Sequence, residues 1–300
     1  MPHISVLFTE SIDALALRPG MTIVDGTFGA GGHSKAIAAA IEKEGRLISF
    51  DADAGVFSAE RVQELECLTQ FTKVVSNFRN ASEVLKHLEV GAIDGALFDL
   101  GLSSTQLEES GRGFSFLRDE PLAMTFQEEA VEGDVTAQTV VNEWSAETLE
   151  TILKGFGEER FARAIARGIV EARTVSPITR TGELVEIIRA HTPGWYHRGR
   201  THLATRTFQA IRMAVNDELG SIEVGVRAAG EFLRPGGRLA VISFHSIEDR
   251  TVKQLFLEMV ATGEFVKVTK KPIVPSEAEL KVNPRSRSAK LRIIEKLSVV

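Results

Sequence analysis

Four polar side chains follow short apolar runs: Asp25 after residues 21–24, Asp51 after 46–50, Asp99 after 96–98 and His245 after 238–244. Asp25 opens the segment Asp25-Gly26-Thr27-Phe28-Gly29-Ala30-Gly31-Gly32-His33-Ser34. Its glycines lack a Cβ, so backbone can come close to a ligand. An apolar run, a glycine turn and an Ala-rich helical run read as strand, loop and helix start, where open α/β sheets take nucleotide-like ligands. A triphosphate is a poor fit, because the Gly-Lys-Ser/Thr of a P-loop is absent. The dinucleotide fingerprint is incomplete too: counted from Gly29, its last glycine position is Ser34. Asp51 stands where a ribose-binding carboxylate is expected. An adenosine ligand without phosphates fits this set best, and S-adenosylmethionine is the common one.

The run ending at Asp99 continues Leu100-Gly101-Leu102-Ser103-Ser104-Thr105-Gln106, a stretch of hydrogen-bond donors and acceptors. At that position Asp99 is a candidate to touch the methionine moiety, the target base, or both. His245, in Ser243-Phe244-His245-Ser246-Ile247-Glu248-Asp249-Arg250, is a candidate acid/base or base-contacting residue. Ser246 is the candidate cap of the helix that follows, with Asp249 as its acidic third position. Other chemistries lack their residues. There is no Gly-x-Ser-x-Gly elbow and no His-Glu-x-x-His. His191, His197 and His202 have no carboxylate at metal spacing, so no metal site is expected. A single cysteine, Cys67, excludes a disulfide framework and is expected to be half-buried.

These residues need elements to bring them together. Strand patterns at 22–25, 47–51, 71–75 and 96–100 alternate with helical patterns at 34–42, 54–65 and 81–87. That order predicts a parallel, doubly wound α/β sheet, with right-handed crossovers placing all strand C-termini on one rim. After residue 102 the alternation stops. Helical patterns follow at 135–143, 146–154, 158–172, 181–191 and 204–219, with an exposed loop at 193–202. Alternation resumes with a helix at 222–233, a Pro235-Gly236-Gly237 turn, a strand at 238–244, a helix from 247 to about 260, and strands at 265–269 and 291–297. The expected organisation is a sheet domain formed by 1–108 and 206–300, interrupted by a helical insertion at 109–205.

The net charge of −6 hides a strong asymmetry. From Arg160 to Arg212 there are ten arginines, no lysine and three acids, whereas nine acids and two arginines lie between Asp99 and Asp134. From Lys281 to Lys296 six basic residues accompany one acid. Arginine without lysine suits phosphate and base stacking, so the first block, including Arg163, Arg167, Arg206 and Arg212, is expected to face nucleic acid. No stretch approaches the ~18 apolar residues of a membrane span. No secretory signal is visible, and the cytoplasm is the expected location.

The chain resembles the bacterial 16S ribosomal RNA cytidine N4-methyltransferases. The resemblance runs nearly end to end, through His3 and Glu10, Asp25 to Ser34, Asp51, Asn77-Phe78 and Asp99 to Gln106. It continues through Arg112-Gly-Phe-Ser-Phe116, Gly157 to Phe161, Ala204 to Arg212, Pro235 to Arg238, Ser243 to Arg250 and Asn283 to Arg292. It implies a Rossmann-like methyltransferase sheet with an all-helical, RNA-binding insert. It implies S-adenosylmethionine contacts from Gly31, Gly32 and His33 in the loop that also holds Asp25 and Gly29. Further contacts would come from Asp51, from Phe78 near the adenine, and from Asp99 and Gln106. The implied partner is 16S rRNA within the small ribosomal subunit, at a cytidine of the decoding region. A homodimer is compatible with this, and no membrane is involved.

Cytidine N4 is a weak nucleophile, so the site must align it and accept its hydrogen bond. Asp99, or carbonyls of the 99–103 turn, are the candidate acceptors, and His245 would contact the base or relay the proton. Ser103 and Ser104 are candidate substrate contacts, and Phe114 or Phe116 would either stack on the splayed base or anchor the glycine-rich loop that carries them. One departure stands out. The family usually reads Pro-Leu-Asp-Met-Arg-Met-Asp where this chain has Pro121-Leu122-Ala123-Met124-Thr125-Phe126-Gln127. That keeps open a cofactor-binding ribosome assembly factor without catalysis, or a methyltransferase acting on a different nucleic-acid base.

Overall fold

Strand β1 (Thr22–Asp25) is paired on both sides in parallel, with β2 (Arg46–Asp51) and with β4 (Ile93–Asp99). β3 (Gln70–Val75) extends the parallel sheet beyond β2, and β5 (Leu233–Ser243) extends it beyond β4. The remaining pairs are antiparallel: β7 (Lys290–Lys296) joins β5, and β6 (Phe265–Lys267) joins β7. The strand order is β3-β2-β1-β4-β5-β7-β6. The expected α/β doubly wound sheet is therefore present, with a reversed strand near one edge. The computed structural model describes residues 4–103, 106–107, 110–128 and 133–298, so His3, Ser104 and Thr105 lie outside the described residues.

Both faces of the sheet are covered, which is why its strands read as nearly continuous apolar runs rather than alternating ones. Ile23, Leu47, Leu97, Ala240 and Ile242 pack against one layer of helices. That layer comprises α1 (Phe8–Leu15), α2 (Gly32–Ile41) and α3 (Ala59–Leu68). Val24, Ile48, Phe50, Ala96, Phe98 and Val241 pack on the other face, against residues of α4 (Ala81–His87), α11 (Glu218–Phe232) and α12 (Ser246–Ala261). Between β1 and β5 successive residues alternate between the two cores, as the period of two requires.

The chain forms two compact units, one of Met1–Leu102 with Leu219–Val300, the other of Ser103–Glu218. The second unit is wider at both ends than the 109–205 expected. Its helices are α5 (Ala137–Glu143), α6 (Ala146–Gly155), α7 (Ala162–Val175), α8 (Thr181–Ala190), the short α9 (Gly194–His197) and α10 (Thr205–Val215). α10 belongs to it because it packs on α5 and α6 and buries Phe208 and Ile211 there. Among the described residues this unit holds no strand, only an isolated bridge between Pro121 and Arg180. No helix of the described residues is long and apolar enough to cross a membrane.

Three local expectations change. Pro235-Gly236-Gly237 is not a turn ahead of the strand. It lies inside β5, where pairing with β4 jumps from Ile93↔Leu233 to Gly95↔Arg238, an irregularity accommodated by Gly236 at φ +82°. The 193–202 loop contains the four residues of α9. Cys67 is exposed rather than half-buried, because Leu65 is the buried residue of α3 and Cys67 points away from that face.

The first loop glycine has a steric reason. A Cβ on Gly26 would lie 2.2 Å from the ring of Phe98, which is fully buried and cannot withdraw. Gly26→Ala should cost about 1–3 kcal/mol through overpacking. Gly91→Ala, with nothing within 4 Å of the added carbon, should leave stability near wild type. Urea unfolding of both variants checks this, and equal midpoints would contradict it.

Candidate active site

Register puts three acids on one rim. Asp25 pairs with Ser49 of β2 and Leu97 of β4, so Asp51 and Asp99 each lie two residues further along the neighbouring strands. Two residues of strand are roughly 7 Å. Asp25 is thus recessed and buried, with Asp51 and Asp99 projecting on either side.

Each acid is held differently. Asp25 Oδ2 accepts from the Ser34 hydroxyl at 2.6 Å, and Oδ1 accepts from the Thr27 amide at 3.1 Å. Ser34 Oγ is also 2.8 Å from Ser49 Oγ, so a buried serine pair anchors the start of α2 to the two central strands. Burial pushes the Asp25 carboxyl up to about 6, against the pull of Ser34, His33 and Thr27. Asp51 Oδ2 accepts from the Gly29 amide at 2.9 Å and Oδ1 from the Asp53 amide at 3.0 Å, which ties the glycine loop to the end of β2. Gly29 (φ +52°) and Gly31 (φ +81°) carry the loop through left-handed backbone. A Cβ on Gly32 would meet Ser5 Oγ at 2.1 Å.

Asp99 receives the third arrangement. Its amide donates to Thr27 Oγ1 at 2.6 Å, and its Oδ2 lies 3.5 Å from His33 Nε2. His33 is buried and stacks on Phe8, ring centroids 5.9 Å apart. Burial alone would lower the His33 pKa. The Asp99 carboxylate, with Asp25 behind it, outweighs burial and raises it. Asp99 Oδ1 is buried and accepts no hydrogen bond from the described residues. A buried acceptor without a donor is costly, so this oxygen fits a ligand that brings an N–H.

Phe78, the expected adenine neighbour, lies beyond β3 with its ring edge-on to Phe98 at 5.3 Å. Gly225 of α11 abuts it so closely that a Cβ there would lie 2.5 Å from the ring. Asn77 caps this turn by accepting from the Arg79 amide, and its Nδ2 donates to Ser221 Oγ at 3.3 Å.

His245 is placed on the rim, after β5, but is engaged. It, not Ser246, caps α12: its Nδ1 accepts from the Glu248 amide at 3.3 Å, and Glu248 Oε2 accepts from the His245 amide at 3.3 Å. With Nδ1 accepting, the ring proton of the neutral tautomer sits on Nε2, 3.1 Å from Glu248 Oε1. The acidic third position is Glu248, and Asp249 instead pairs with Lys290 and Arg292, each at 2.7 Å.

The other expected residues fall in the second unit. Gln106 and Ser103 bind each other: the Ser103 amide donates to Gln106 Oε1 at 3.0 Å and the Gln106 amide to Ser103 Oγ at 3.1 Å. Phe114 is buried beside Phe126, with the Arg112 guanidinium 5.6 Å from its ring. Phe116 stacks on His202 at 4.5 Å and meets Phe208 edge-on. Both rings therefore anchor the 112–116 loop. Arg163 and Arg167 are exposed on α7. Arg206 is exposed and donates to the Glu158 carbonyl at 2.7 Å. Arg212 is clamped in two hydrogen bonds to Glu218, at 2.6 and 2.8 Å. In the departing segment, Asn216 bonds both Met124 O and the Phe126 amide, and Arg112 bonds Phe126 O, so backbone contacts hold the 121–127 loop.

Sequence reasoning missed Thr27, the serine pair Ser34–Ser49 and Phe8. It also missed the fastening of the N-terminal segment, where Glu279 accepts from the Leu7 amide at 2.9 Å and Asn283 donates to Ile4 O at 3.1 Å. A serine in β2 level with Asp25 was the one available signal.

The buried Asp25 makes a pH prediction. Between 3.8 and about 6 the folded chain keeps a proton there that the unfolded chain releases, so stability falls as pH rises through that window. Asp25→Asn removes this dependence. The wild-type minus variant difference in unfolding free energy should decline by on the order of 3 kcal/mol between about pH 4 and pH 7. Parallel pH profiles would sink the assignment.

With this geometry in place, similarity to known proteins becomes informative. The chain is 46% identical to ribosomal RNA small subunit methyltransferase H of Paenibacillus sp. (strain JDR-2), over 98% of this chain and 99% of that protein. Its counterpart in Brevibacillus brevis is 44% identical over 98% of each chain. The Symbiobacterium thermophilum protein of that name is 46% identical over 98% of this chain and 96% of its own. The model of the MraW methylase family matches residues 1–297, and the chain belongs to that family.

Proposed function

We propose that the protein is an S-adenosylmethionine-dependent methyltransferase of small-subunit ribosomal RNA, and that its target is the N4 amine of a cytidine in the decoding region of 16S rRNA. Membership of a methylase family and the names of its relatives support the coarser statement. The observation that carries the finer one is the buried, unpartnered Asp99 Oδ1 beside His33 at the sheet rim.

The first unit has the features the cofactor needs. The loop from Gly29 to Gly32 is glycine backbone at the start of α2, Asp51 is a half-exposed carboxylate at the next strand end, and Phe78 adds an aromatic ring further along. S-adenosylmethionine, when bound, supplies an electrophilic methyl group, so no metal is required. The protein's own task is to present the amine and manage its proton. Asp99 is the acceptor for an N4 hydrogen: as the nitrogen gains positive charge, the carboxylate interaction strengthens. His33 holds Asp99 from behind, and its raised pKa lets it share positive charge with that carboxylate. This role falls to His33, which faces Asp99, whereas His245 caps α12 through Nδ1 and its buried Nε2 has no hydrogen-bond partner among the described residues. The base must be extruded from any stack to reach such a rim.

In the second unit the exposed Arg163 and Arg167 are assigned to RNA phosphates. Arg212 is assigned to the fold instead, through Glu218. Self-association and a cytoplasmic location accord with this reading and add nothing to its chemistry.

Three results are expected. Incubation with labelled cofactor and undermethylated small subunits should place the label on a cytidine N4. Cofactor binding without transfer would favour the assembly factor, and label on another base would favour the other rival. Asp99→Ala should slow transfer by roughly 10²-fold or more, and unchanged turnover would remove Asp99 from the mechanism. Charge reversal at Arg163 and Arg167 should weaken RNA binding and flatten its dependence on salt. Wild-type values would make that helix face a plain solvated one.

A further inference from the structure

The first unit carries a second concentration of positive charge that the expected RNA-binding arginines do not include. A small, open cleft is bounded by α12, the end of β6, the segment after it, and β7. Its charged lining is Lys253, Lys267, Lys270, Lys271 and Arg292, and no carboxylate lines it. The four lysines are exposed, and none has an ion-pair partner among the described residues. Asp249 lies one helical turn before Lys253, and its two oxygens are taken by Lys290 and Arg292. The floor is apolar, with Phe256, Pro272 and Ile293, and Thr269 contributes a hydroxyl.

Like charges that converge repel one another, so four unpaired lysines on three elements weaken the fold unless an anion joins them. A lysine on an edge strand is a common guard against strand pairing, and Lys267 on β6 alone would serve that purpose. That guard does not call for Lys253 on a helix, nor for Lys270 and Lys271 on the segment following.

We propose that this cleft binds the phosphate backbone of the RNA substrate, as a contact made by the methyltransferase unit itself and separate from the arginines of the insertion. The proposal rests on the RNA reading above. Lysines act here as point charges on flexible stems, which suits sequence-independent contacts to phosphodiesters. The cleft would therefore set affinity and orientation, leaving base choice to the rim.

The test uses the full-length chain with Lys267→Glu, Lys270→Glu and Lys271→Glu combined, alongside the neutral set Lys267→Gln, Lys270→Gln and Lys271→Gln. Binding to undermethylated small subunits and to their extracted 16S rRNA is measured across a salt series. Every phosphate that a lysine no longer neutralises should lower the slope of log affinity against log salt by roughly 0.7–0.9. The Gln set should thus reduce the slope by about 2 and weaken binding at least tenfold at low salt, with the Glu set weaker still. Cofactor binding should stay at wild-type values and the melting temperature should not fall below that of wild type, since relieving the lysine repulsion can only stabilise the fold, which separates weaker phosphate binding from unfolding. Wild-type slope and affinity in both sets would overturn the proposal while leaving the function intact. A wild-type protein with no salt-dependent affinity for either RNA form would overturn the function reading itself. Lysine-dependent binding to phosphatidylglycerol vesicles with RNA affinity unaffected would assign the cleft to a lipid surface and overturn the proposal too.

Discussion

Everything at the rim follows from one electrostatic constraint: three carboxylates must share the ends of three adjacent parallel strands. Unpartnered, Asp25, Asp51 and Asp99 would repel one another in a poorly hydrated setting. The fold treats each differently. Asp25 takes a serine hydroxyl and an amide, Asp51 takes two amides, and Asp99 faces an imidazole. All these donors, save the Asp53 amide, come from residues 27–34. The path of the glycine loop is thus dictated by where the acids need hydrogen bonds, and the glycines permit the left-handed backbone that such a path requires.

The same constraint separates the acids by function. Asp25 is the most deeply buried and burial raises its pKa, so it acts as a structural tie between β1, β2 and α2. Asp51 is half-exposed and keeps its carboxylate directed along the loop. Asp99 alone of the three retains a buried oxygen with no donor among the described residues, next to a histidine with a raised pKa. Three chemically identical side chains become tie, loop clamp and candidate reaction partner through depth and neighbours alone.

Much of this was legible in the chain. The β-α alternation of the first hundred residues gave the sheet and its rim, because helical and strand periods are local and survive without knowledge of what packs on them. The loop from Asp25 to Ser34 announced itself by glycine density. His245 was legible as a rim residue but not as a helix cap, since a histidine rarely serves there and Ser246 offered the commoner choice. Phe114 and Phe116 illustrate the converse: their position in a glycine-rich loop was compatible with base stacking or with anchoring, and only their ring partners at 126, 202 and 208 show the anchoring. Arg212 likewise looked like one more cation in a basic block until Glu218 met it.

By itself the sequence determined which residues reach the rim and in what order, because pairing register and crossover handedness follow from local pattern and chain chirality. Only the tertiary structure decided what each residue does on arrival. Partners such as His33, which faces Asp99, Glu279 for the Leu7 amide and Asn283 for the Ile4 carbonyl come from distant parts of the chain. The lysine cleft was hidden for the same reason, its charges being scattered from residue 253 to 292. A carboxylate's role depends on depth and on the donors that packing delivers, and neither quantity is written in the residues beside it.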